Sequence, residues 1–204
     1  MVRIAIVDTG LCNVDSMWRA LEECGANALV TCDPVVLGTV DKIVLPGVGA
    51  FPDAMAMLRA ADLDVAIREQ VAGNGVPLLG VCLGMQLLAT RGTEVRECEG
   101  LGLIEATVER LTSRHGERVP HVGWNEVHRR DDAALLAGIP DQADFYFVHS
   151  FHVRCADAAD VAAVTPYCGG FTSVIVRDHV VGTQFHPEKS QTYGLALLRN
   201  FVAM

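Results

Sequence analysis

The chain has 204 residues, 50% of them hydrophobic and 20% charged, with a formal net charge of −9. That length and apolar content sustain one folded domain over residues 1–204 and exclude intrinsic disorder, because enough surface can be buried to offset the ordering entropy. The acidic balance, with no Lys/Arg run, argues against nucleic acid as a partner, and no apolar stretch reaches the ~18–20 residues of a membrane span.

In chain order, Val2–Asp8 reads as a buried strand. Its apolar part is too short for a secretory leader, so the expectation is a cytoplasmic protein with reduced thiols. Between Asn13 and Cys24, the residues Val14, Met17, Trp18 and Leu21 recur at helical spacing, and Gly25 supplies a stop. Ala28–Thr31 reads as a second strand and Lys42–Leu45 as a third, ended by Pro46-Gly47. Pro52 opens a helix through Met55 and Leu58, and a further helical stretch ends near Gly73. Val76–Val81 is the next strand, and Leu83–Ala89 returns to helical spacing. Strands alternating with helices predict parallel βαβ units. The second half is strand-rich: Ala106–Leu111, Val119–Val127, Phe145–Val153, Val161–Thr165, Phe171–Arg177 and Val180–Phe185. Gln191–Val202 closes the chain as a helix. The predicted class is α/β: an open, mixed, mainly parallel sheet with helices on both faces and an antiparallel part in the second half.

Seven cysteines stand at positions 12, 24, 32, 82, 98, 155 and 168, with no CxxC or other metal spacing, so neither metal nor cofactor is expected. In open α/β sheets, ligands sit beyond the carboxyl ends of the strands. There the chain carries Gly80-Val81-Cys82-Leu83-Gly84, the thiol form of a nucleophile elbow. A tight strand-to-helix turn exposes one side chain, flanking glycines remove Cβ clashes, and the helix start favours a thiolate. A buried cysteine with glycines for packing fits the same pentapeptide. After the last strand come His186-Pro187-Glu188. Proline keeps His186 extended, so Glu188, two residues on, can orient the imidazole toward a thiol. A helix entry with an acidic first turn is the other reading of those three residues. After the third strand, Gly47-Val48-Gly49 can present N–H groups that, with the N–H of Leu83, would form an oxyanion hole; a plain turn also fits. Neither Gly47-Val48-Gly49 nor Gly100-Leu101-Gly102 extends to a dinucleotide fingerprint, and no Walker A sequence occurs.

Gly80-Val81-Cys82-Leu83-Gly84-Met85-Gln86 with Phe185-His186-Pro187-Glu188 resembles the triad-type class I glutamine amidotransferases, whose fold is flavodoxin-like. Pro46-Gly47-Val48-Gly49, Pro120-His121-Val122-Gly123-Trp124-Asn125 and Tyr146-Phe147-Val148-His149-Ser150-Phe151 narrow the resemblance to the glutaminase subunits of imidazole glycerol phosphate synthase, over the whole chain. The elbow alone also fits the anthranilate and aminodeoxychorismate synthase glutaminases. Those usually carry His in place of Met85 and lack the His-x-Gly-Trp-Asn segment. A non-catalytic subunit of the same fold would lack the triad.

The resemblance implies that Cys82 attacks the amide of L-glutamine, His186 relays protons and Glu188 orients His186. It implies that Gly47, Val48, Gly49 and Leu83 stabilise the oxyanion. Gln86, Glu94 and the backbone of His149, Ser150 and Phe151 would hold the amino acid. It also implies a heterodimer with a (βα)8-barrel cyclase that receives the ammonia in histidine biosynthesis. Lys189, Trp124, Tyr146 and Asn13 are the interface candidates, although relatives more often have Gly or Ala where Cys12 precedes Asn13.

Overall fold

The structure is a computed structural model that describes residues 1–8, 10, 14–130 and 132–204. β1 (Arg3–Val7) buries Ile4, Ala5, Ile6 and Val7 completely, as a strand covered on both faces must. α1 (Val14–Glu23) turns Met17, Ala20 and Leu21 inward. It ends in a Schellman motif: the Gly25 N–H donates to the Glu22 carbonyl and the Ala26 N–H to that of Leu21, with Gly25 at φ +85°. β2 (Asn27–Thr31) follows, then a single-turn α2 (Pro34–Leu37) capped by the Asp33 carboxylate.

β3 (Lys42–Gly47) runs two residues past its expected end. Its pairing with β1 stops at Val44, while Pro46 and Gly47 continue in register with Val81 and Cys82 on the other side. The proline thus stands where one flank of β3 is already an edge, and its missing N–H removes no ladder bond there. α3 (Phe51–Ala60) and α4 (Leu63–Arg68) come next, the latter continuing into a π-helical turn at Glu69–Gly73. β4 (Leu78–Cys82) is buried throughout. α5 (Leu83–Leu87) is shorter than the helical spacing suggested, because Ala89–Gly92 forms β5 alongside β7. Around that junction the Leu88 and Ala89 carbonyls accept from Gly102, Leu103 and Ile104, so tertiary pairing overrides local periodicity.

The rest is β6 (Cys98–Glu99), β7 (Ile104–Arg110), β8 (His121–Arg129), β9 (Ala143–His149), β10 (Phe151–Cys155), β11 (Val161–Thr165), β12 (Phe171–Arg177), β13 (Val180–Thr183) and α6 (Gln191–Ala203). The larger sheet has nine strands in the order β2-β1-β3-β4-β13-β12-β11-β8-β9. It is parallel from β2 to β13 and antiparallel beyond, the mixed α/β architecture expected. A second sheet, β10-β7-β5-β6, was not foreseen. The segment read as one strand from Phe145 to Val153 breaks at Ser150: β9 belongs to the larger sheet and β10 to the smaller. One apolar core packs α1 and α6 against the sheet around Phe145, Phe147, Phe185 and Phe201. The other gathers α3, α4, α5 and the smaller sheet around Phe51, Leu45 and Ile104. The crossing at Ser150 therefore lies where the two sheets meet, close to the carboxyl ends of β3 and β4.

Candidate active site

β4 delivers Cys82 into a turn where its backbone takes φ 55° and ψ −110°. Positive φ is costly for any residue with a Cβ, so the surroundings must hold it there. The flanking glycines explain how. A Cβ on Gly84 would lie 1.7 Å from the Leu45 carbonyl oxygen, and one on Gly80 would lie 2.8 Å from the Gly84 carbonyl group. α5 thus sits directly on the backbone of β3 and β4, and the chain can leave β4 only through this sharp elbow.

β13 lies beside β4 in parallel register, Thr183 opposite Val81. Just beyond it, His186 is extended (φ −96°, ψ 98°) and its N–H donates to the Tyr146 carbonyl. Pro187–Lys189 then forms a 3-10 turn, which brings Glu188 back against the imidazole. Nδ1 of His186 is 2.8 Å from Glu188 Oε1. Nε2 is buried and makes no bond of good hydrogen-bond geometry among the described residues, although Cys82 lies near enough to act on the ring. Burial alone would lower the His186 pKa. The hydrogen bonding and charge of Cys82 and Glu188 outweigh burial and raise it to about 10. His186 is therefore protonated at neutral pH. Cys82 Sγ lies 3.8 Å from the Val148 carbonyl oxygen and accepts from Gln184 Nε2, also at 3.8 Å.

A cavity of about 240 Å³ opens over the sulfur. It is lined by the expected Val48, Gly49, Leu83, Gln86, Glu94, His149, Ser150 and Phe151, with Val148 added. Gly47 does not reach it. It ends β3 beside Cys82, packed against the Leu83 side chain. Gly49 sits at φ +104°, a conformation that suits glycine. Glu94 accepts a hydrogen bond from the Phe51 N–H at 2.8 Å, which satisfies a free donor at the start of α3 and ties the Gly47–Gly49 segment to the cavity rim. Gln86 Nε2 donates to the Phe151 carbonyl at 2.8 Å and to Gln184 Oε1 at 3.1 Å, so its amide protons hold the walls together.

Two histidines complete the wall. The His149 Nδ1–H must donate to the Phe151 carbonyl (2.8 Å), leaving its Nε2 to accept from His121 Nδ1–H (3.1 Å). His121 Nε2 then accepts from the Asn125 amide (3.2 Å). Each bond fixes the tautomer of the next ring. Burial lowers the His121 pKa to about 4 and that of His149 to about 3, so both are neutral at physiological pH.

The residues that sequence reasoning missed are Gln184 and Val148. Both act through contacts between segments more than 60 positions apart, and no local spacing marks them. Gln184 does directly precede Phe185-His186-Pro187-Glu188, which is the one signal available. Among the other cysteines described, Cys24, Cys155 and Cys168 have thiol pKa values raised first of all by burial, Cys155 to about 11, as structural thiols should. Of the interface candidates, Trp124 is 47% exposed and meets Tyr146 edge-on at 6.0 Å across the β8–β9 pair. Lys189 is exposed on the adjoining turn, which β9 contacts through the Tyr146 N–H to Ser190 Oγ bond. Asn13 lies outside the described residues.

Residues 5–204 match the family model described as glutamine amidotransferase class-I. The chain is 43% identical, over 201 residues, to imidazole glycerol phosphate synthase subunit HisH 1 of Campylobacter jejuni (strain RM1221), covering 98% of this chain and all of that one. It is 46% identical to subunit HisH of Moorella thermoacetica over 198 residues, 97% and 93% of the two chains. Among solved structures it superposes with TM-score 0.76 on a chain of PurLQS from Thermotoga maritima at 17% identity, covering 100% and 99% of the chains. A glutamine amidotransferase from the same organism gives TM-score 0.67 at 20% identity, covering 92% and 76%. No helix among the described residues is long and apolar enough to cross a membrane.

Proposed function

Because the chain belongs to the class-I glutamine amidotransferase family, we propose that Cys82, His186 and Glu188 carry its glutaminase chemistry within a single domain over residues 1–204. The Cys82 thiolate attacks the side-chain amide of L-glutamine bound in the 240 Å³ cavity. The N–H of Leu83, which has no partner within its helix at that first position, stabilises the oxyanion together with the Val48–Gly49 segment. His186 holds its proton at neutral pH and gives it to the departing nitrogen, so ammonia leaves and a γ-glutamyl thioester stays on the sulfur. The ring, now neutral, takes a proton from water as that water attacks the thioester. Glutamate is released and the starting state returns. Glu188 keeps the ring oriented and compensates its charge throughout. Glu94 supplies a carboxylate for the α-ammonium group, and Gln86 fixes the backbone that receives the α-carboxylate.

We assign the chain the glutaminase role in imidazole glycerol phosphate synthase, and hence a cytoplasmic place in histidine biosynthesis. The cavity has room for one amino acid and no second acceptor, so the ammonia must be consumed elsewhere. Ammonia released to water becomes mostly ammonium, which is no nucleophile, and a sealed route to a partner avoids that loss. The proposed partner is the (βα)8-barrel cyclase, forming imidazole glycerol phosphate and aminoimidazole carboxamide ribotide. It would dock on the face carrying Lys189, Trp124 and Tyr146. The observation that carries the assignment is the pairing of an elbow cysteine with a buried His186–Glu188 couple just beyond the carboxyl ends of adjacent parallel strands. The test is co-purification with the cyclase, followed by a glutaminase assay with and without the cyclase's ribotide. Negligible hydrolysis alone and strong hydrolysis in the liganded complex are expected. Fast turnover by the isolated chain would contradict the coupling.

A further inference from the structure

Away from the glutaminase centre, a cavity of about 750 Å³ lies behind β10. β10 is a shared wall: Phe151 lines the catalytic cavity, and His152 through Arg154 line the larger one. In a chain of net charge −9, this cavity gathers four arginines and only two glutamates. Both glutamates are already engaged. Glu109 pairs with Arg154 at 3.0 Å, and Glu117 accepts from the backbone of Arg114 and His115 and from the Ser113 hydroxyl. Those bonds, led by the backbone N–H groups, hold the Glu117 pKa down to about 2, so it stays an anion anchored in its own loop, and the arginines still outnumber the carboxylates four to two. The guanidiniums of Arg110, Arg114 and Arg130 make no ion pair or hydrogen bond among the described residues.

The packing of one of these arginines supports a shaped site. Arg114 lies across Gly169, where a Cβ would come within 2.5 Å of its Nε, so glycine there makes room for the guanidinium. Arg110, Arg114 and Arg130 are exposed residues lining one concave space, and guanidiniums there suit the oxygens of a phosphate group, which arginine binds in pairs of parallel N–H bonds. The volume falls in the range of small-molecule sites and far exceeds a bare phosphate.

We infer that this cavity is a binding site for a phosphate-bearing small molecule, its phosphate held by Arg110, Arg114 and Arg130 and the remainder lying along His115 and His152. The test is calorimetric titration of the full chain with inorganic pyrophosphate at physiological salt. Saturable binding is expected, weakened about tenfold or more in the double variant Arg114→Gln/Arg130→Gln. Arg110→Gln, which leaves the Gly169 turn untouched, should weaken binding as well. Glutaminase activity with the cyclase should be unchanged in all variants, which also reports that they fold. No saturable binding at millimolar pyrophosphate would overturn the inference. So would equal binding by wild type and the double variant, or binding of duplex DNA that pyrophosphate fails to displace.

Discussion

Gly84→Ala tests how the elbow is held. The added Cβ would lie 1.7 Å from the Leu45 carbonyl oxygen and 2.7 Å from the carbonyl carbon. Both are backbone atoms in the fully buried β3, so no rotamer change can relieve the clash. To restore even the 3.0 Å limit below which Cβ contacts are essentially never seen, α5 and β3 must separate by more than an ångström. Overpacking of this kind costs about 1–3 kcal/mol, which in a chain of this size lowers Tm by several degrees. The displacement reaches Cys82 two residues away, and a shift of about 1 Å at a reacting atom can cost ~100-fold in rate. The assays are urea unfolding of the chain and glutaminase turnover with the cyclase present. Gly73→Ala is the internal control: nothing lies within 4 Å of its Cβ position, its φ is ordinary, and it closes a helical turn. That change should be neutral or stabilise by about 0.5–1 kcal/mol. A Gly84→Ala protein as stable and active as wild type would refute the close-packing account, as would a Gly73→Ala protein equally damaged.

Cys82→Ala should abolish glutamine-dependent synthesis while the complex still uses ammonium salts at raised pH; if added ammonium fails, Cys82 is needed for the architecture. Glu188→Gln removes the carboxylate that helps hold the His186 pKa near 10. Turnover should fall about 100-fold or more, with the alkaline limb of its pH profile moving to lower pH. An unshifted profile would separate Glu188 from the ring's protonation. His121, neutral in the fold with a pKa of about 4 against an unfolded value near 6.5, contributes stability that is present above pH 6.5 and lost as the pH falls. The loss is on the order of 2 kcal/mol by pH 5. Urea midpoints at pH 7.5 and 5 should therefore differ more for wild type than for His121→Gln, and equal differences would exclude His121 as the cause.

The parts of the site that were legible in the sequence were those with a local signature. Gly80 and Gly84 bracket Cys82 because of backbone contacts within one turn, and Glu188 reaches His186 from two residues away, through a turn where extended chain was expected. The sheet's parallel half followed from the alternation of apolar runs and helical spacing. What stayed hidden depends on contacts between distant segments. Nothing near Ser150 signals that one apolar alternation serves two sheets, since residues on either side keep the same period. Gln184 holds the sulfur and Gln86 together from about 100 positions away. The helical spacing through Leu88 and Ala89 was real, yet pairing with the segment at 102–104 decided their conformation.

The in-register ladder between β4 and β13 has a consequence for how such a chain can change. Neighbouring strands stand about 4.8 Å apart whatever their side chains. The strand ends from which Cys82 and His186 emerge therefore inherit their spacing from peptide hydrogen bonding, although roughly half the polypeptide intervenes. Loops within that stretch that touch neither His186 nor the cavity can lengthen, shorten or acquire new surface features without retuning that spacing. Descendants of one ancestral scaffold are thereby free to diversify the connecting loops while the proton-transfer geometry persists.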